Sequence, residues 1–293
     1  MSKILSVENL TKTYHTERVL DHVSFEIEAG SVVGLLGPNG AGKTTTMKII
    51  MDLVPKTSGQ VHYDDKMKII YLQDVPEFYD FYQVKEFLWF ILELNHFNED
   101  KKSKIEETLK LVGLENEKDK RVKSLSRGLR QRLGIASSII VSPDILILDE
   151  PVSALDPIGR KEVFDLIGKL KGKMSIIFSS HILSDIERIC DHVILLDKGT
   201  ILLNKSINDI QLDERVLMIE FSEAEGVRIF KDKWNEDVEI SNKTVSIVTK
   251  DLVQTQGSVF EILQREMLLV ESVHIKKVNL EDVFLKEVGA KNA

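Results

Sequence analysis

The sequence predicts an α/β protein: a core built on a mainly parallel sheet, a block of helices inserted into that core, and a small α+β domain at the C-terminal end. Three observations lead there. Short apolar runs, Val32–Leu36, Ile145–Leu148 and Val193–Leu196, alternate with helical segments, as strands covered by helices on both faces must. Between about Asp74 and Val141 the spacing is helical throughout. Beyond about residue 208 the pattern changes again, to strands, a hairpin signal and a helix.

The elements follow in order. Residues 4–9 and 23–28 alternate apolar and polar like half-buried strands, with Tyr14 in the connection between them. Val32–Leu36, flanked by Gly30 and Gly37, is a buried strand, and Thr44–Met51 has helical spacing. Pro55 to Gly59 is a turn and Lys68–Leu72 a short strand. The inserted block holds helices at Val84–Leu94, Lys104–Val112 and Gly128–Ile140. The core resumes with strands at Ile145–Leu148, Ser175–Phe178 and Val193–Leu196 and an amphipathic helix at Ile158–Leu170. Asn204 to Asp213 is polar and lacks a strong period, which places a boundary near 208 and gives domains 1–207 and 208–293. The second domain reads as a strand at Val216–Phe221, a hairpin across Ser241-Asn242-Lys243, a helix at Ser258–Met267, a strand at Val273–Lys277 and a terminal helix at Leu280–Val288.

Composition narrows the class. A 293-residue chain with 43% hydrophobic residues can bury a sizeable core. A net charge of −8 argues against a nucleic-acid binder, which would carry a basic surface. No apolar run approaches the roughly 18 to 20 residues that span a bilayer. The N-terminus shows no apolar segment of the signal-peptide kind, and the single cysteine, Cys190, fits a reducing compartment. The expectation is a cytoplasmic protein with Cys190 as a packed thiol.

The strongest motif is Gly37-Pro38-Asn39-Gly40-Ala41-Gly42-Lys43-Thr44, which satisfies G-x-x-x-x-G-K-[ST] between a predicted strand and a predicted helix. Glycines let backbone N–H groups turn inward on phosphate oxygens, and the helix start adds its positive dipole end. Lys43 would reach the β- and γ-phosphates of ATP and the Thr44 hydroxyl would meet Mg²⁺. Gly37, Asn39, Gly40, Ala41, Gly42, Lys43, Thr44 and the following Thr45 are therefore the candidate nucleotide-binding residues. The motif alone leaves kinases and GTPases open. A second feature narrows the choice: the apolar run Ile145–Leu148 ends in Asp149-Glu150. A buried strand delivers Asp149 to the Mg²⁺, and Glu150 can take a proton from an attacking water or hold that water in line.

With these two motifs in place, five further segments make the chain resemble the ATP-binding cassette (ABC) family over roughly residues 3–205. Gln73 resembles the Q-loop glutamine, which senses Mg²⁺ and water. Leu125-Ser126-Arg127-Gly128-Leu129-Arg130-Gln131-Arg132 resembles the signature motif, and Ser153-Ala154-Leu155-Asp156 the D-loop. Ser179-Ser180-His181 is similar to the H-loop, whose histidine contacts the γ-phosphate, and Tyr14 to the aromatic that stacks on adenine. Arg127 stands where the commonest signature has its first glycine and Leu129 where it has glutamine, while Ser126 and Gly128 remain.

The resemblance implies a P-loop ATPase core, a catalytic set of Glu150, His181 and Gln73, and a metal set of Thr44, Gln73 and Asp149. It also implies that Ser126 and Gly128 complete the nucleotide site of a second ATPase subunit. With one P-loop in this chain, that partner is another chain, identical or related. The other expected partner is an integral membrane permease, which would hold the subunit on the inner face of the membrane. In the family, the region of Phe78-Tyr79-Asp80-Phe81-Tyr82 forms a groove for a short helix of that permease. The ending Val278–Val288 is similar to the close of ATPase subunits of bacterial drug, peptide or lipid exporters. Sugar-type importers carry a larger regulatory domain than residues 208–293 can hold. The other reading is a soluble ABC ATPase without a transport role. Such proteins usually show two cassettes or a long coiled-coil insertion, for which the interval from Gln73 to Ser126 leaves no room.

Overall fold

The computed structural model describes residues 2–153, 155–213, 215–277 and Leu280. Ala154 of the D-loop segment and residues 281–288 of the expected terminal helix lie outside the described residues. The chain divides into two compact units, one running to Lys205 and the next beginning at Ser206.

In the first unit β1 (Lys3–Tyr14) and β2 (Glu17–Glu28) precede β3 (Val32–Leu36), α1 (Lys43–Ile50), β4 (Ser58–His62) and β5 (Ile69–Leu72). Helices α2 (Val84–Leu94), α3 (Lys101–Val112) and α4 (Arg127–Ile139) follow. Then come β6 (Ile145–Leu148), α5 (Pro157–Leu170), β7 (Ser175–Ser180), α6 (Leu183–Ile189), β8 (His192–Asp197) and β9 (Thr200–Ser206). The main sheet has the order β5-β6-β7-β3-β8-β9, and the pairs β5–β6, β6–β7, β7–β3 and β3–β8 are parallel. Its central strands are buried along their whole length, which is why their sequences are unbroken apolar runs rather than alternations.

A separate antiparallel sheet, β2-β1-β4, lies beside it. β1 and β2 are 12 residues each and join at a turn after Tyr14, so Tyr14 ends a strand rather than lying in a loose connection. Several register shifts along β1 break the alternation, and only its apolar parts are legible as strand. Leu5, Leu10 and Val23 from this sheet pack with Met47 of α1 and with Ile147 and Ile177 of the main sheet in one core.

The helices of the inserted block are punctuated as their sequences require. Gln83 and Glu86 form a capping box on α2, Asp100 caps α3, and Gly113 ends α3 in the left-handed conformation at φ 68°. Ser126 caps α4 through the Leu129 amide, and Asp156 followed by Pro157 opens α5. Among the described residues no helix is long and apolar enough to cross a membrane.

The second unit contains α7 (Ile207–Asp213), β10 (Arg215–Phe221), α8 (Ala224–Lys233), β11 (Glu239–Ser241), β12 (Thr244–Thr249), α9 (Leu252–Arg265) and β13 (Val270–Lys277). Its sheet is antiparallel in the order β11-β12-β10-β13. Leu217, Ile219 and Phe221 pack with Phe230 of α8 and with Val259 and Ile262 of α9.

Candidate active site

The sheet order decides where chemistry can occur. β7 lies between β3 and β6, with Leu36 opposite Ser180 and Leu148 opposite Phe178. The carboxyl ends of these three strands therefore emerge side by side, where open parallel sheets bind ligands. The loop after β3, the acids after β6 and the hydroxyls at the end of β7 meet there.

The loop Gly37–Gly42 cannot be built from ordinary residues. Gly42 stands at φ 106°, directly before α1, and a Cβ on it would lie 2.5 Å from Leu20 Cδ2. A Cβ on Gly37 would run into the carbonyl of Leu196. The turn brings Lys43 back over its own loop, where its ammonium donates to the Gly37 and Pro38 carbonyls at 2.7 and 3.1 Å. Asn39, Gly40, Ala41, Gly42, Thr44 and Thr45 line a cavity of about 170 Å³ with Lys43, Val19 and Glu150. That space suits a phosphate chain; a whole nucleotide needs more, so a base and sugar bound here would extend beyond it.

Asp149 is buried, and hydroxyl donors meet both of its carboxylate oxygens. Thr44 Oγ1 and the Tyr71 hydroxyl donate to Oδ2 at 2.9 Å each, and Ser179 Oγ donates to Oδ1 at 2.8 Å. Burial, and next the Asp149 charge, push the Tyr71 phenol above its usual range, so it remains a donor. Glu150 follows at φ 43°, a left-handed conformation that is uncommon outside glycine and that clusters at functional sites. Its carboxylate lies 3.5 Å from Lys43 Nζ and 3.1 Å from His181 Nδ1. Thr44, Asp149, Glu150, Lys43 and His181 thus form one cluster, of which Lys43, Thr44 and Glu150 line the phosphate-sized cavity.

The other expected residues stand elsewhere. Gln73 is exposed and its amide donates to the Val75 carbonyl at 2.9 Å. Its neighbour Asp74 accepts from Ser153, the first residue of the D-loop segment, at 2.6 Å. Tyr14 is exposed, with the Lys12 ammonium 4.5 Å from its ring centroid. Ser126 and Gly128 line a different cavity, of about 430 Å³, with Leu155, Asp156 and Ile158 at the start of α5. Cys190 is buried behind β3, and burial pushes its thiol up and out of the reactive range. Phe78 turns inward, edge-on to Phe87 at 5.3 Å and beneath the Arg130 guanidinium, whereas Tyr79 and Phe81 point to solvent.

The sequence singles out neither Tyr71 nor Asp74, and it names Ser179 only as the first residue of the H-loop-like segment.

A mainly parallel sheet with a phosphate-binding loop after β3 and an acid pair after β6, one strand removed, defines a P-loop nucleoside triphosphatase. Comparison with known proteins narrows the class. The family described as ABC transporter matches residues 20–153. The chain is 35% identical over 299 residues to the uncharacterized ABC transporter ATP-binding protein YxlF of Bacillus subtilis, covering 98% of this chain and 100% of that protein. It is 33% identical to the bacitracin transport ATP-binding protein BcrA of Bacillus licheniformis, covering 99% and 98%. A solved structure of an ATP-binding subunit of an ABC transporter superposes with a TM-score of 0.63 at 26% identity, covering 71% of this chain and 92% of that one. The chain belongs to the ABC transporter ATP-binding proteins; it binds ATP and hydrolyses it.

Proposed function

We propose that this protein is the energy-supplying subunit of a membrane export system, with Mg·ATP held by Gly37–Thr45 and hydrolysed by the Glu150 cluster. The observation that carries the reading is the position of Glu150, held between Lys43 and His181 and lining the phosphate-sized cavity. Lys43 would turn from its loop carbonyls to the β- and γ-phosphates. Glu150 would then accept the proton of the attacking water, and His181, released from Glu150, would donate to a γ-phosphate oxygen.

The donor set suits Mg²⁺. A hydroxyl and a single carboxylate at Thr44 and Asp149 are hard oxygen ligands of the kind that complete a shell supplied mainly by phosphates and water. When bound, the metal would neutralise charge developing on the phosphates. Gln73 is retained as a catalytic and metal-sensing candidate that would have to swing inward from the Val75 carbonyl.

Two partners belong to the proposal. A second cassette, identical or related, would place its Ser126 and Gly128 across the phosphates, where the α4 amino terminus faces an anion favourably. A permease would hold the subunit at the inner membrane face, gripping Tyr79 and Phe81, the exposed aromatics beside α2. The bacitracin transport relative supports a transport role, and the resemblance of Val278–Val288 to exporter subunits supports export.

Exchange of Glu150 for glutamine tests the chemistry. Turnover should fall by at least about 10²-fold while ATP still binds, because shape and hydrogen bonds survive and only the proton acceptor is lost. Normal turnover in E150Q would remove Glu150 from the base role.

A further inference from the structure

We propose that Ser179 is a positioning residue for hydrolysis, one hydroxyl that ties the metal-binding acid to the backbone of the base. The inference rests on the roles proposed above for Asp149 and Glu150. Ser179 is 0% exposed, on β7 next to the acid-bearing β6. Its oxygen accepts the Glu150 amide at 2.7 Å, and its proton goes to Asp149 Oδ1 at 2.8 Å. The donor and acceptor capacities of the hydroxyl are thus both used, on two consecutive residues with different tasks.

The consequence is geometric. Glu150 leaves the strand at φ 43°, a conformation that costs a non-glycine residue energy and persists only where surrounding contacts hold it. The bond from its amide to Ser179 is such a contact, and it aims the Glu150 carboxylate at Lys43 and His181 rather than along the strand direction. The same hydroxyl occupies Oδ1 of Asp149, which leaves Oδ2 turned to Thr44 and Tyr71. A hydroxyl satisfies both neighbours without adding charge to a site that must accept phosphates. Alanine in its place would leave a buried carboxylate oxygen without its donor and a strained amide without its acceptor.

Ser179→Ala and the near-isosteric Ser179→Cys, made in the full-length chain, separate this from a merely structural role. Three quantities are measured: ATP affinity in EDTA by isothermal titration, the Mg²⁺ concentration giving half-maximal turnover, and turnover itself. Both variants should bind ATP in EDTA within about twofold of the parent, since Gly37–Lys43 is untouched. Turnover should drop about tenfold or more, the range for a lost bond to a charged group, and the Mg²⁺ requirement should rise. In a Glu150→Gln background the same changes should cost little further residual turnover, because Ser179 acts on hydrolysis chiefly through Glu150. Turnover within twofold of the parent while E150Q is inactive would overturn the proposal alone. So would a loss that adds in full to that of E150Q, or an equal loss of metal-free ATP binding in both variants. An active E150Q would instead defeat the underlying assignment of Glu150.

Discussion

Lys43 bonds to the carbonyls of the loop it belongs to and lies 3.5 Å from the Glu150 carboxylate, so its charge is held at the cradle until a phosphate arrives. Lys43→Ala should nearly abolish ATP binding, checked by isothermal titration; unchanged affinity would show that the loop binds through backbone groups alone. The side chains that the sequence identified, Lys43, Thr44, Asp149, Glu150 and His181, are those whose spacing in the chain is fixed by a motif. Their mutual bonds were not legible, because they join positions far apart in the chain, 105 residues for Thr44 and Asp149 and 31 for Glu150 and His181. The bonds of the Tyr71 and Ser179 hydroxyls to Asp149 were not legible either, because only the order of the strands brings these residues together. Gln73 shows the opposite case: a residue type chosen by resemblance, while the adjacent Asp74 makes the bond to Ser153.

At the scale of elements, strand and helix identity followed from burial. β3, β6 and α2 occupy Val32–Leu36, Ile145–Leu148 and Val84–Leu94, the spans the apolar pattern predicts, because each is bounded by a turn, an acid pair or a capping box. β4, α6 and α8 went unread: β4 is a half-exposed strand with one aliphatic residue, α6 is seven residues long, and α8 has a narrow apolar face. α9 begins at Leu252, ahead of the predicted Ser258, since Asp251 supplies the cap and the polar stretch Gln254–Gly257 hides the helical period there. The loop–helix junction at Gly42 yields a prediction of its own. Gly42→Ala should weaken ATP binding at least tenfold and lower Tm by a few degrees, through left-handed strain of about 1–2 kcal/mol. Titration and thermal melting would check it; an unperturbed variant would mean that the left-handed turn is dispensable. On the helical block, replacing Tyr79 and Phe81 with serine should release the subunit from its permease in membrane co-sedimentation and leave basal hydrolysis unchanged. Replacing the inward-facing Phe78 should instead destabilise the block. Membranes that retain the Tyr79/Phe81 variant would place the interface elsewhere.

The whole molecule adds a requirement that neither residues nor elements contain. Ser126 and Gly128 sit at the amino terminus of α4, in a cavity with the start of α5, and they are not part of the Lys43–Glu150 cluster of their own chain. In the proposed mechanism their place depends on a second cassette facing the first. Light scattering on the Glu150→Gln protein with Mg·ATP tests this most directly, because in the proposed mechanism a subunit pair that cannot hydrolyse its nucleotide stays together. The account predicts a dimer for Glu150→Gln and a monomer when Ser126→Arg is added, with ATP still bound to Gly37–Thr45 in both. A double variant that dimerises as strongly as Glu150→Gln alone would contradict it.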